Sequence, residues 1–397
     1  MLSSRFAVVD NYPFRRLAAL LEGIAPASNV PPVDMSIGEP RHAPPAFLHE
    51  IVSRNGDEWN RYPALVGTPE FLRACAVWLT RRYKLPSGMI DATTQIAPVA
   101  GTREGLFSAA LLAVSPAASG AKPVALMPNP FYQVYYGAAV FAGAEPVLLL
   151  ATRETGFLPD LAAIDPAILA RSQIFYLCSP ANPQGAVADL AYLRHAIELA
   201  RRHDFLLVVD ECYAEIYTTE TPPPGALEAA ASLGGGCDNV MVFHTLSKRS
   251  SAPGLRSGFA AGSPDAIGLF NRLRSYSCAA TPLATLAAAT ALWQDEAHVE
   301  ATRALYQAKF AIAERLLAGR FGFYKPAGGF YLWLDVGDGE AASKILWREA
   351  GLKVLPGAYL THRGPDGVNH GLPYIRIALV YDLETTEAAL ARLARVL

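Results

Sequence analysis

Lys248 stands among hydroxyls in Thr245-Leu246-Ser247-Lys248-Arg249-Ser250-Ser251, with Arg256 eight residues further on. The apolar run Val240-Met241-Val242-Phe243 just before it reads as a buried strand. A lysine in that position suits two kinds of chemistry: its amine can form an imine with a carbonyl, or its charge can hold a phosphate. A solvated Lys-Arg pair on a polar loop is the plain alternative.

Other polar residues recur where apolar runs end. Phe205-Leu206-Leu207-Val208-Val209 is continuous enough to be a parallel strand buried on both faces, and it runs directly into Asp210-Glu211-Cys212-Tyr213. A carboxylate there lies at the C-terminal edge of the strand, where open α/β sheets bind ligands; a helix cap or turn acid is the competing reading. The strand over 173–178 leads to Ser179-Pro180-Ala181-Asn182-Pro183-Gln184-Gly185, a turn in which the Asn182 amide can point back over the strand end. Ala100-Gly101-Thr102-Arg103-Glu104 opens a helix with small residues, leaving backbone N–H groups free for a phosphate. Tyr132 begins a helix after the strand ending in Pro128-Asn129-Pro130, and so can reach a pocket at the strand ends. Gly38, in Ser36-Ile37-Gly38-Glu39-Pro40, reads as a turn and Tyr62 as a half-buried surface tyrosine. Arg376 lies on a strand whose alternation puts Ile375, Ile377 and Leu379 on the other face; its guanidinium can fork onto a carboxylate or face solvent.

The elements that must position these residues alternate strand and helix from about 95 to 280, which predicts a mostly parallel sheet with helices on both faces. The polar strand ends then converge on one edge. Helices are predicted over 71–83, capped by Thr68 and Pro69, and over 190–203. Beyond 280 the pattern changes to helices over 283–293, 297–317, 341–350 and 385–396 around short strands over 329–334 and 374–379, a smaller α+β unit. The expected division is an N-terminal segment over 1–45 packing with the small domain, a large domain over 46–280 and a small domain over 281–397.

Bulk composition narrows the function. Hydrophobic residues make up 52% and charged ones 18%, so a sizeable core is expected and wholesale disorder is not. A net charge of -2 without a basic stripe argues against nucleic-acid and anionic-membrane surfaces and for small-molecule partners. The five cysteines form no Cys-x-x-Cys pair, which disfavours a disulfide framework or zinc site and fits a reducing cytoplasm. No metal site is expected. Arg5 and the four apolar residues after it are too short for a signal segment, and no run is long and apolar enough to span a bilayer. The Gly-x-x-x-x-Gly-Lys spacing of a P-loop is missing before Lys248.

Taken together, Ser36-Ile37-Gly38-Glu39-Pro40, Gly101-Thr102-Arg103-Glu104, the Asn182 loop, Asp210-Glu211-Cys212-Tyr213, the Lys248 segment, Gly328-Gly329-Phe330-Tyr331-Leu332-Trp333, Leu355-Pro356-Gly357 and Ile375-Arg376-Ile377-Ala378 resemble the class I/II aminotransferases of fold type I. The likeness runs from about 36 to the C-terminus in the family's order, and within the family it is strongest to the bacterial succinyldiaminopimelate aminotransferase branch. Gln184 stands where many relatives carry threonine, and Thr245 where serine is common.

The resemblance implies an α/β fold with a mostly parallel seven-stranded sheet, pyridoxal 5'-phosphate as cofactor, and ping-pong amino transfer through an aldimine at Lys248. It implies lysine biosynthesis, with glutamate and an N-succinylated 2-amino-6-oxopimelate as partners. Other class I activities on aspartate or aromatic amino acids, and cysteine-sulfur β-elimination, are the alternatives on the same scaffold. Residue by residue, it implies that Lys248 holds the cofactor and moves the substrate proton, that Asp210 faces the pyridine nitrogen, and that Tyr213 and Asn182 bond the ring's phenolic oxygen. Tyr132 would stack on the ring. Gly101, Thr102, Thr245, Ser247 and Arg256 would hold the phosphate, with Arg103 beside them. Tyr62 would reach the phosphate of a neighbouring subunit across a homodimer with shared active sites. Arg376, Gly38 and Asn182 would bind the substrate α-carboxylate.

Overall fold

The computed structural model describes residues 3–9, 12–116, 120–364 and 366–397. Its central sheet has seven strands, in the spatial order Ile96–Val99, Gly258–Gly262, Val240–Thr245, Leu206–Asp210, Ser172–Cys178, Val124–Asn129 and Glu145–Leu150. Gly258–Gly262 is antiparallel to both of its neighbours, and the other six strands share one direction. The inner strands are buried along almost their whole length, which is why they read as nearly unbroken apolar runs. Helices cover both faces. On one, Trp78, Phe175, Phe205 and Trp293 pack together; on the other, Tyr135, Tyr176, Phe243 and Phe270 do. Each such side chain contributes about 2–3 kcal/mol by leaving water.

The second unit is a three-stranded antiparallel sheet in which Tyr374–Ala378 lies between Leu355–Pro356 and Tyr331–Asp335. Helices Ala297–Leu317, Gly339–Ala350 and Leu383–Val396 share a core with it, and Ile375, Ile377 and Leu379 point into that core. The N-terminal segment is stitched to this unit: Val33–Asp34 pairs in parallel with Leu352–Lys353, and the Ala378 N–H donates to the Met35 carbonyl. From there the chain passes over the edge of the large sheet at Gly38.

Most predicted elements are present within a residue or two; the helices over 190–203 and 297–317 match at both ends. The sequence pattern does not predict Glu145–Leu150 or Gly258–Gly262. The first has no polar alternation and only half-buried residues. The second is made of Gly, Phe and Ala because the neighbouring strand comes close: a Cβ on Gly258 would lie 2.4 Å from the His244 carbonyl oxygen.

Candidate active site

A cavity of about 450 Å³ opens at the C-terminal edge of the large sheet, where the small unit and the Gly38 segment meet it. The strand Val240–Thr245 delivers Lys248 through one helical turn, Leu246–Arg249, capped by Thr245, whose hydroxyl accepts from the Ser247 N–H at 3.1 Å. Arg249 points the other way. It is buried and donates to the carbonyls of Leu292 and Asp295 and to Glu296, so the Lys-Arg pair is not a solvated loop. Lys248 enters the cavity, where its Nζ donates to the Gly38 carbonyl and lies 5.2 Å from the centre of the Phe330 ring. Burial, helped by the Arg376 charge, lowers its amine from an ordinary 10.5 to about 8, against the opposing pull of Cys212, Glu39 and Asp210. About a tenth of Lys248 is therefore neutral and nucleophilic at pH 7, against about one part in three thousand at the ordinary value.

Asp210 ends the neighbouring strand and is only 5% exposed. Its Oδ1 accepts from the Cys212 N–H at 3.2 Å and its Oδ2 from the Tyr135 hydroxyl at 2.6 Å. Burial raises its carboxyl above the usual range, opposed by hydrogen bonds from Cys212 and Tyr135 and by His244. Asn182 and Tyr213 line the same cavity. The Tyr213 hydroxyl pairs with that of Tyr331 at 3.1 Å, and Tyr331 in turn explains Gly38: a Cβ there would sit 1.8 Å from the Tyr331 oxygen.

Arg376 is the clearest sign of an anionic ligand. It is 4% exposed, and its Nη2 donates to the Ser36 carbonyl at 2.7 Å and its Nη1 to Asn182 Oδ1 at 3.1 Å. Its Nε is buried without a partner, and no carboxylate pairs with it among the described residues. A buried guanidinium without a counter-ion is costly unless a ligand supplies one. Arg376 is thus a pocket residue and not one facing solvent.

The end of the cavity that would take a phosphate is built around Gly101, whose φ of +90° favours glycine and where a Cβ would fall 2.0 Å from Arg256 Nη2. Arg256 donates to the Ala100 and Pro253 carbonyls, beside the start of the Thr102–Ala113 helix. Thr102, Thr245, Ser247 and Arg256 line the cavity, while Gly101 buttresses it from behind Arg256. Tyr132 lies in the wall edge-on to Tyr135, with its hydroxyl accepting from Arg103 Nε at 2.9 Å. Tyr62 is fully exposed and does not line the cavity of its own chain.

This donor set fits pyridoxal 5'-phosphate. It offers a buried amine for the aldehyde carbon, a buried carboxylate for the ring nitrogen, and hydroxyls, helix N–H groups and a guanidinium for the phosphate. Comparison with known proteins agrees: residues 30–393 match the family described as aminotransferase class I and II. The chain belongs to that family. Aminotransferases of this class depend on pyridoxal 5'-phosphate, and so does this one. Among solved structures, an aminotransferase from Neisseria meningitidis is 37% identical and superposes with a TM-score of 0.94, over 99% of both chains. A probable N-succinyldiaminopimelate aminotransferase from Thermus thermophilus is 26% identical, with a TM-score of 0.82, over 99% of this chain and 100% of the other. Among curated proteins, the LL-diaminopimelate aminotransferase of Dehalococcoides mccartyi is 31% identical over 91% of this chain and 90% of its own length.

Sequence pattern alone does not single out several residues of this aminotransferase pocket: Tyr135, Tyr331, Tyr12 and Glu39. For Tyr135 a signal exists, since it is three residues after Tyr132 and so shares its helix face.

Proposed function

We propose that this aminotransferase exchanges an amino group between glutamate and an N-succinylated 2-amino-6-oxopimelate, within lysine biosynthesis, by a ping-pong cycle at Lys248. The observation that carries the reading is a second guanidinium in the same cavity. Arg103 lines it near the mouth, its Nε bonded to the Tyr132 hydroxyl and its Nη2 3.3 Å from that of Tyr12. With Arg376 deeper in, the pocket has two cationic poles, which suits amino acids carrying a second carboxylate. Glutamate and the diaminopimelate class share that feature.

Bound pyridoxal 5'-phosphate supplies an electron sink for the pair left on Cα when its proton departs. The rest is the work of the protein. Arg376, with Asn182 and the Gly38 backbone, holds the α-carboxylate and so sets which face of Cα meets Lys248. Lys248, with its lowered proton affinity, would take the Cα proton and deliver it to the cofactor's C4' carbon. Asp210 keeps the ring nitrogen protonated, Tyr213 and Asn182 donate toward the ring's phenolic oxygen, and Tyr132 fixes the ring plane. Gly101, Thr102, Thr245, Ser247 and Arg256 hold the phosphate. The exposed Tyr62 finds its use on the phosphate of a second subunit, which makes the working unit a homodimer. The described cysteines are all unpaired, in keeping with a cytoplasmic location.

The curated relatives favour a second reading, in which free LL-diaminopimelate is the amino donor. Purified protein assayed with 2-oxoglutarate and each candidate donor separates the two. Turnover of the N-succinylated compound well above that of LL-diaminopimelate supports the first. Turnover of aspartate or an aromatic amino acid, with none of the succinylated substrate, refutes it.

A further inference from the structure

Tyr135 is fully buried, and its hydroxyl donates at 2.6 Å to Asp210 Oδ2, the carboxylate that faces the cavity. The bond is short, as expected when the acceptor is ionised. Burial pushes the Tyr135 phenol well above its ordinary range, so it keeps its proton and remains a donor. Its ring cannot easily swing away. It stacks on Tyr176 at 4.7 Å with 7° between the planes, and the Tyr176 hydroxyl is pinned to the Leu106 carbonyl at 2.8 Å. The remaining groups that influence Asp210 or are influenced by it are Cys178, Cys212, Tyr132, His244 and Lys248. Among them only Tyr135 places a neutral hydroxyl on the carboxylate.

We propose that Tyr135 is a positioning residue that keeps Asp210 ionised and aimed at the cofactor's ring nitrogen. Without that donor the carboxylate is left in a dry site with the amide and thiol of Cys212 as its remaining hydrogen-bond partners, and its neutral form gains. A neutral Asp210 no longer holds a proton on the ring nitrogen, and the electron sink weakens. Tyr132 and Tyr135 belong to one helix, Gln133–Ala142 and its cap, so a single rigid element sets both the ring plane and the partner of its nitrogen. The proposal rests on Asp210 facing that nitrogen.

The test is the ¹⁵N resonance of ring-labelled pyridoxal 5'-phosphate bound to the wild-type protein and to Tyr135→Phe, Tyr176→Phe and Asp210→Asn. Tyr135→Phe keeps the stack and deletes only the hydroxyl. The expected result is a resonance moved toward the unprotonated ring in Tyr135→Phe and Asp210→Asn, and unchanged in Tyr176→Phe. The glutamate half-reaction in Tyr135→Phe should slow by about ten- to hundred-fold, the worth of one hydrogen bond to a charged group, with KM changed less than about three-fold. Adding Asp210→Asn to Tyr135→Phe should cost no more than Asp210→Asn alone. If Asp210→Asn moves the resonance and Tyr135→Phe does not, the role given to Tyr135 is overturned, even if Tyr135→Phe melts at a lower temperature. If Asp210→Asn leaves the resonance in place, Asp210 does not serve the ring nitrogen and the proposal falls with that assignment.

Discussion

Replacing Arg376 with glutamine tests two consequences of one buried charge. The guanidinium makes two hydrogen bonds, to Ser36 and Asn182, and has a buried Nε with none. On the proposed function, the substrate α-carboxylate is its missing counter-ion. Deleting the fork removes charge-assisted hydrogen bonds of about 1.5–3 kcal/mol each, so kcat/KM for every amino acid and oxo acid should fall by at least about ten- to hundred-fold. Arg376 also lowers the Lys248 amine, second to burial among the lowering causes. In Arg376→Gln the Lys248 titration should therefore move upward from about 8, yet stay short of the ordinary 10.5 because burial remains. Reductive ¹³C-methylation of the cofactor-free protein, followed by NMR against pH, reads this directly. Lys309, also held near 8 by burial, is told apart by the spectrum of Lys248→Ala. The sign carries over to folding. A lysine lowered in the folded state costs stability in full below pH 8, and the cost is relieved as pH rises from about 8 to 10.5. A wild-type Lys248 signal that titrates at the ordinary value, or one that ignores Arg376→Gln, would refute this account of the site's electrostatics.

Gly101→Ala should loosen cofactor binding by about ten-fold or more and lower stability by about 1–2 kcal/mol, because its φ is positive and Arg256 occupies the Cβ position; cofactor titration and thermal melting report the two effects. Asp210→Asn should keep the cofactor but slow the glutamate half-reaction by about a hundred- to thousand-fold in stopped-flow absorbance. Near-normal single-turnover rates would contradict its role. Mixed dimers address Tyr62: one subunit carries Tyr62→Phe and the other Lys248→Ala. If Tyr62 serves the neighbouring site, each such dimer regains one fully wild-type site, with cofactor affinity above that of the Tyr62→Phe homodimer. Affinity equal to that homodimer would show that Tyr62 acts elsewhere.

Which parts of the site are legible in the sequence follows from where each residue gets its environment. Lys248, Asp210 and Asn182 each lie at or shortly after the end of a buried strand, and a run such as Phe205-Leu206-Leu207-Val208-Val209 announces both the strand and the edge at which it stops. Arg376 is half legible. Alternation places it opposite Ile375 and Ile377, but whether that face meets solvent or a pocket depends on Ser36 and Asn182, 340 and 194 residues away. Gly38 reads as a turn, although its glycine is required by the Tyr331 hydroxyl, which no local pattern reveals. Gly258–Gly262 is hidden for a related reason: its small residues reflect backbone crowding by the neighbouring strand and carry little strand propensity of their own.

Tyr135 marks the limit of reading by periodicity. It sits in a helix whose buried face is aromatic and apolar, so a core role is the natural inference, and its ring does pack in the core against Tyr176. Only its hydroxyl departs from that role, and its partner Asp210 lies 75 residues further along the chain. A buried phenol must place its O–H somewhere, since leaving it unpaired costs about 1–3 kcal/mol. That requirement is visible in the sequence, but its answer is not. The helix face that presents Tyr132 to the cavity already fixes the direction in which Tyr135 points. Once Asp210 is placed at the end of its strand, the two constraints meet at one carboxylate oxygen, and on the role proposed for it a residue that packs like core becomes part of the electrostatics of the reaction.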